Sequence, residues 1–298
     1  MRAILITNPA AGSPRPDCSS DALQWRLETL GWDVWPATCP APGEEPSSFK
    51  ELLQAADMAV IAGGDGTIRQ VVSHVVGTQT RLAILPCGTG NDLARSLGLP
   101  LDPLEAIEVA NAGVPRAIDV GVVNGVYFMN VVSLGISASV SRNLAQETKR
   151  QFGPWAYRLA ALRELSRRTQ LTIGVTFDGH TRRHHAYQVS IANGESFGGG
   201  WRVSDSASLD DHMLDVVVIG PMTLRDRWAR LLTPEGGLAG NFASHAYRTK
   251  TCRIDSGEVM VLNVDGDPIS LAPPLTIAVI PGALQVMVPV TAAATQAA

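Results

Sequence analysis

The stretch Met58-Ala59-Val60-Ile61-Ala62-Gly63-Gly64-Asp65-Gly66-Thr67 decides how this chain folds. Five apolar residues read as a buried strand, and the glycines end it. Residues 68–76 then take up helical periodicity. A buried strand that passes through a glycine turn into a helix is the repeating unit of an open α/β sheet. The unit recurs on both sides. Upstream, residues 3–7 form a short apolar run ending in Asn8-Pro9, and Leu23, Leu27 and Leu30 mark a helix closed by Gly31. Residues 32–35 read as a strand and 46–56 as a helix. Downstream, 82–85 read as a strand, followed by helices at 91–97 and 103–110.

The pattern changes near Ile118. Strand-like runs dominate from there, at 121–132, 171–177, 186–192, 214–219, 258–264, 276–280 and 284–288. Asp178-Gly179 between two of them is a hairpin signal. Helical periodicity returns only at 143–168 and 223–232. The expected architecture is an α/β domain with an open, mostly parallel sheet over residues 1–117. An antiparallel β-sandwich with inserted helices should follow over 118–290, with a frayed tail at 291–298.

Composition narrows the function classes. The 298 residues include 24 basic and 28 acidic side chains, for a net charge of −4 and a pI near 5.9. That balance argues against nucleic acid as a partner. Two long uncharged stretches, 121–140 and 268–298, are crowded with turn formers or prolines and read as strands rather than membrane helices. The N-terminus lacks the apolar core of a signal peptide. Cys18, Cys39, Cys87 and Cys252 are scattered without a CxxC pair, which suits buried small hydrophobes in a reducing cytoplasm. His184 and His185 fall on opposite faces of a strand and read as surface residues.

Three glycine-bearing turns follow strands of the first domain: Asn8-Pro9-Ala10-Ala11-Gly12, Gly63-Gly64-Asp65-Gly66-Thr67 and Gly88-Thr89-Gly90-Asn91-Asp92. Open α/β sheets bind ligands at the carboxyl ends of their strands. Glycines there admit phosphate to the backbone amides, and the next helix offers its positive end. Asp65 inside such a loop points to a nucleotide carrying Mg²⁺, since bare phosphate would be repelled. No Walker A sequence and no complete dinucleotide fingerprint occur.

These motifs, with Leu93-Ala94-Arg95 after the third, resemble the diacylglycerol kinase catalytic family of lipid and sphingosine kinases. So do Phe152-Gly153-Pro154-Trp155-Ala156-Tyr157, Asn193-Gly194, Phe197-Gly198-Gly199-Gly200, Leu209-Asp210-Asp211 with Leu214-Asp215, and Asp265-Gly266-Asp267. The resemblance spans nearly the whole chain. It implies ATP- and Mg²⁺-dependent phosphorylation of a lipid hydroxyl. It maps nucleotide contacts to Asn8, Thr38, Gly63, Gly64, Asp65, Gly66, Thr67, Ile68, Arg69, Gly88, Thr89 and Asn91. It maps a metal loop to Ser208, Asp211 and Met213, and the catalytic carboxylate to Asp267, with Asp65 beside the phosphates. Asp267 stands where the family usually has glutamate, which pulls the carboxylate back by roughly 1 Å. Ser137 stands where an aspartate is usual, and His212 where a glycine is.

Residues 142–168 hold seven basic against two acidic side chains and are expected to meet a lipid surface. The alternatives are an NAD-kinase-like enzyme, which shares the Gly63–Thr67 loop, and a weakly catalytic nucleotide or lipid sensor.

Overall fold

A computed structural model describes residues 1–8, 16–41, 43–44, 46–135, 171–197, 201–220 and 245–290. They group into two units: Met1–Asp119 with the chain from Gly282 onward, and Val120–Pro281.

The first unit alternates strand and helix, as expected. Its elements are β1 (Arg2–Thr7), α1 (Ser20–Thr29), β2 (Asp33–Thr38), α2 (Ser47–Ala55), β3 (Met58–Gly63), α3 (Asp65–Val75), β4 (Arg81–Pro86), α4 (Asp92–Ser96), α5 (Pro103–Ala112) and the start of β5 (Val114–Val123). The sheet runs β2-β1-β3-β4 with every neighbour parallel. β3 is buried at all six positions, as a strand covered on both faces must be. One face buries Leu23 and Leu27 of α1 and Ala106, Ile107 and Ala110 of α5 against Leu5, Val60 and Leu85. Asp102 caps α5 through Leu104 N and Glu105 N.

The second unit holds the rest of β5, then β6 (Val126–Phe128), β7 (Val131–Gly135), β8 (Leu171–Phe177), β9 (His180–Ala186), β10 (Gln188–Ala192), β11 (Ser196–Phe197), β12 (Trp201–Arg202), β13 (Leu214–Ile219), β14 (His245–Thr249), β15 (Thr251–Asp255), β16 (Met260–Val264), β17 (Asp267–Leu271) and most of β18 (Leu275–Val288). One sheet has the order β14-β13-β10-β7-β16-β17, antiparallel throughout. The other lays β18, β15, β8 and β9 side by side. The core between them is a row of alternate inward residues, among them Val132, Leu134, Ile173, Val175, Ile191, Val216, Ile254, Leu262 and Ile277. β8 and β9 are joined by Asp178-Gly179, both at positive φ, so that Phe177 pairs with His180.

The structure differs from the sequence reading at several elements. Residues 121–132 are not one strand. Asn124 and Gly125 take positive φ and fold β5 back on β6. Residues 276–288 are not two strands. Pro281 and Gly282 sit inside β18, where its partner changes from β15 to β4. Gly282 N donates to Asp119 Oδ1 (2.8 Å) at that point. β18 thus closes the edge of the first sheet in parallel register with β4, Gln285 opposite Arg81.

His184 is not a surface residue. It is 7% exposed, and its ring lies 4.9 Å from that of His245 and 5.9 Å from that of Tyr247. The cysteines are not all isolated either. Cys18 and Cys87, 69 residues apart, form a disulfide with their Cα atoms 5.8 Å apart. Cys39 and Cys252 are free and buried. Among the described residues no helix is long and apolar enough to cross a membrane. The helices expected at 143–168 and 223–232, the tail at 291–298 and the basic segment at 142–168 lie outside the described residues.

Candidate functional site

Of the first strand-end turn only Asn8 is described, residues 9–12 lying outside the described residues; Asn8 and the other two turns of the first unit are tied to one another. β3 ends at Gly63 and α3 begins at Asp65, with Gly64 as its N-cap. A glycine cap brings no side chain to the first-turn amides, which leaves the positive helix end suited to an anion. The second turn touches the third through glycine on both sides. A Cβ on Gly64 would lie 3.0 Å from the Gly88 Cα, and one on Gly88 would drive into Gly64. Asn91 takes the left-handed conformation (φ 53°, ψ 44°) and clamps the third turn. Its Oδ1 accepts from Gly88 N and its Nδ2 donates to Gly88 O, each at 3.0 Å. The first turn reaches the second through Asn8, whose Nδ2 donates to Thr67 Oγ1 at 3.2 Å.

Asp65 links the second turn to the third. Its carboxylate accepts from Asp92 N (3.1 Å) and Leu93 N (3.0 Å) at the start of α4. Each oxygen therefore already carries one charge-assisted bond that positions a loop. Gly66 and Arg69 are half-buried, and Thr67 and Ile68 are buried within α3. Ile68 can offer a ligand only its backbone. Thr89 is exposed at the tip of the third turn. Thr38 is exposed at the end of β2, paired in register with Thr7 beside Asn8. The structure therefore gathers the expected nucleotide residues at one edge of the parallel sheet.

The Asp265–Asp267 hairpin belongs to the second unit. Asp265 and Gly266, at φ 48° and 98°, are the turn between β16 and β17, and Val264 pairs with Asp267. Asp265 reaches across to the β6–β7 junction. Its carboxylate accepts from Met129 N (2.6 Å), Asn130 N and Val131 N (both 2.9 Å). Sequence reasoning missed this role. Its only local sign was an aspartate–glycine pair, and its partners lie more than 130 residues away. Asn263 Oδ1 accepts Gly266 N at 2.7 Å and holds the turn from the other side. Asn193 joins the same junction, its Nδ2 donating to Met129 O at 2.8 Å. Asp267 opens β17, half-buried.

The loop at 208–213 is organised by protein partners. Ser208 Oγ donates to Asp210 Oδ1 (2.7 Å), and Met213 N donates to Asp211 Oδ1 (2.9 Å). The other Asp211 oxygen is ion-paired with Arg248, whose guanidinium also approaches Asp215 at 3.9 Å. Burial raises the Asp211 pKa above its ordinary value, against the opposing pull of the Met213 amide and Arg248. Among the described residues no cluster of three or more His, Cys, Asp or Glu is placed to hold a metal ion. The metal loop implied by the resemblance draws on the Asp211 carboxylate and on backbone oxygens of Ser208 and Met213, and Met213 N and Arg248 each already contact one Asp211 oxygen.

Both units match domains of known kinases. Residues 2–123 match the diacylglycerol kinase catalytic domain, and residues 130–288 match the YegS C-terminal NAD kinase beta sandwich-like domain. The chain belongs to the diacylglycerol kinase family. It is 31% identical over 263 residues to a probable lipid kinase YegS-like of Pseudomonas syringae pv. tomato, covering 87% of this chain and 85% of that one. It is 30% identical over 274 residues to a diacylglycerol kinase of Bacillus subtilis, covering 89% of each. Its fold is that of a diacylglycerol kinase crystal structure from Bacillus anthracis, with a TM-score of 0.79, 24% identity and 96% of each chain covered.

Proposed function

We propose that this protein is an ATP-dependent lipid kinase that transfers the γ-phosphoryl group to a lipid hydroxyl. The observation that carries this reading is the coupling of two strand-end turns and Asn8 through Asn8–Thr67, Gly64–Gly88 and Asp65–α4, on a chain whose relatives are named lipid and diacylglycerol kinases. Phosphoryl transfer asks a protein mainly for positioning and charge neutralisation. Backbone amides around Gly64, Gly66, Gly88 and Thr89 would hold the phosphates, with Thr38 and Asn8 beside them. Mg²⁺ would enter as the counter-ion of the nucleotide, and Asp211 with the backbone oxygens of Ser208 and Met213 would hold a separate structural ion. Asp267 is proposed as the base that accepts the proton of the acceptor hydroxyl. The reaction is placed in the cytoplasm at a lipid surface, with the basic 142–168 segment as the contact.

The test is turnover of γ-labelled ATP on a panel of hydroxylated lipids in mixed micelles, wild type beside Asp267→Asn. Transfer to one lipid, reduced about 10²-fold or more in the variant, is expected. No transfer to any lipid, with nucleotide still bound, would favour the sensor alternative. The description of the C-terminal match as NAD kinase beta sandwich-like supports one second reading, an NAD-kinase-like enzyme. NAD as acceptor in the same assay decides it.

A further inference from the structure

Two of the four cysteines stand apart from the other two. Cys39 and Cys252 are buried thiols whose pKa values burial pushes up to about 11 and about 12. They stay protonated and poorly nucleophilic at neutral pH. Cys18 and Cys87 are bonded to each other, and their Cα separation of 5.8 Å lies in the ordinary range for a disulfide. Their places in the fold are functional ones. Cys87 directly precedes Gly88, and its N–H donates to Gly63 O at 3.1 Å, so it sits between the second and third turns. Cys18 ends the 3-10 turn Pro16–Cys18 and precedes Ser19, which caps α1 by accepting from Ala22 N. Cys87 is 8% exposed, whereas Cys18 is half-exposed.

We propose that Cys18 and Cys87 form a reversible oxidative modification site that controls nucleotide binding in the first unit. The inference rests on the nucleotide reading of the three turns. The oxidant is a small-molecule disulfide of the glutathione class. The more exposed Cys18 thiolate attacks one sulfur of that disulfide, forming a mixed disulfide and expelling one thiolate. The Cys87 thiolate then attacks the Cys18 sulfur and expels the second. Two protein thiols lose two protons and two electrons, and the small disulfide is reduced to two thiols.

The consequence for the site follows from packing. The bond pins residue 87 to the segment that leads into α1. Gly88 rests on the Gly64 backbone with no side chain between them, so a shift at residue 87 reaches both turns. The oxidised form holds residue 87 and the turn contact beside it, and reduction loosens that contact while the bonds of Asn91 and Asp65 remain. In compartments kept reducing, disulfides are transient or regulatory, which suits such a role.

The experiment equilibrates the full chain in glutathione buffers of graded ratio. Free thiols are trapped by alkylation and located by peptide mass, and a fluorescent ATP analogue is titrated at each ratio without lipid. The Cys18–Cys87 peptide pair should appear and vanish reversibly. Nucleotide affinity should fall by about fivefold or more on reduction, a usual size for coupling between sites. Cys18→Ser should bind as the reduced form does at every ratio. Because Cys18 is half-exposed and Cys87 is buried, Cys18→Ser is the variant that should keep the wild-type circular dichroism. Both peptides alkylated under oxidising buffer would overturn the inference alone. A bond that forms with equal affinity in both states would overturn it and spare the kinase reading. A bond that forms while neither state binds nucleotide would overturn both.

Discussion

At the scale of single residues, aspartates in this chain act first as clamps. Asp65 holds the start of α4, and Asp265 holds the β6–β7 junction through three amides. Hydrogen bonds to a charged acceptor contribute about 1.5–3 kcal/mol each when their loss leaves donors unpaired. The three bonds share one half-buried carboxylate and do not add in full, so Asp265→Ala is expected to destabilise the second unit by about 3 kcal/mol or more, read as a lowered urea midpoint. Asp267→Asn, which removes charge but keeps the shape of β17, should lower the unfolding free energy by about 1 kcal/mol or less in the same titration. The pair separates the structural aspartate from the proposed catalytic one. The glycine turns were legible in the sequence because their chemistry is local: strand, glycines, helix. The Asp265 clamp and the Cys18–Cys87 bond were not, because each joins residues that only the finished topology brings together.

At the scale of elements, the strands that escaped sequence reading share one character. β14 and β15, His245–Thr249 and Thr251–Asp255, form no apolar run: β14 is buried only at Thr249, and β15 alternates exposed residues with buried Cys252 and Ile254. β3, covered on both faces, is an unbroken apolar run and was evident. β9 shows what such alternation conceals. Its inward residue His184 packs against His245 and Tyr247 on β14, with Arg182 5.5 Å above the Tyr247 ring. Burial lowers the His184 pKa, and the neighbouring His245 and Arg182 lower it further. A histidine with a depressed folded pKa is held neutral in the native state, while the unfolded chain binds a proton near pH 6.5. The unfolded state therefore binds more protons in acid. Stability should be fully present above that pH and fall as pH drops through it towards the lower folded value. Urea midpoints compared at pH 7.5 and 5.5 should show this loss, and His184→Gln should make it smaller.

At the scale of the whole molecule, the two units are not two successive lengths of chain. The first comprises Met1–Asp119 and the chain from Gly282 onward, which enters it partway along β18. The sequence fell short here because Pro281-Gly282 looks like a strand terminator, whereas it is the point at which β18 exchanges one partner for another. A chain shortened to end at Pro281 would leave the edge of β4 unpaired and Asp119 without the Gly282 amide. Such a chain is expected to lose amide-exchange protection in β4 and β3 while the sandwich strands β10, β13 and β16 keep theirs. Retained protection in β4 would refute the dependence.

The same connectivity bears on synthesis in the cell. Domains usually fold as they leave the ribosome, N-terminal first. Here the parallel sheet waits for a strand that is translated only after the whole sandwich. At ordinary elongation rates that delay is roughly 10–30 s. During it the open edge of β4 is a template for any passing strand, so the nascent chain should need shielding of that edge until residues 282–288 have emerged.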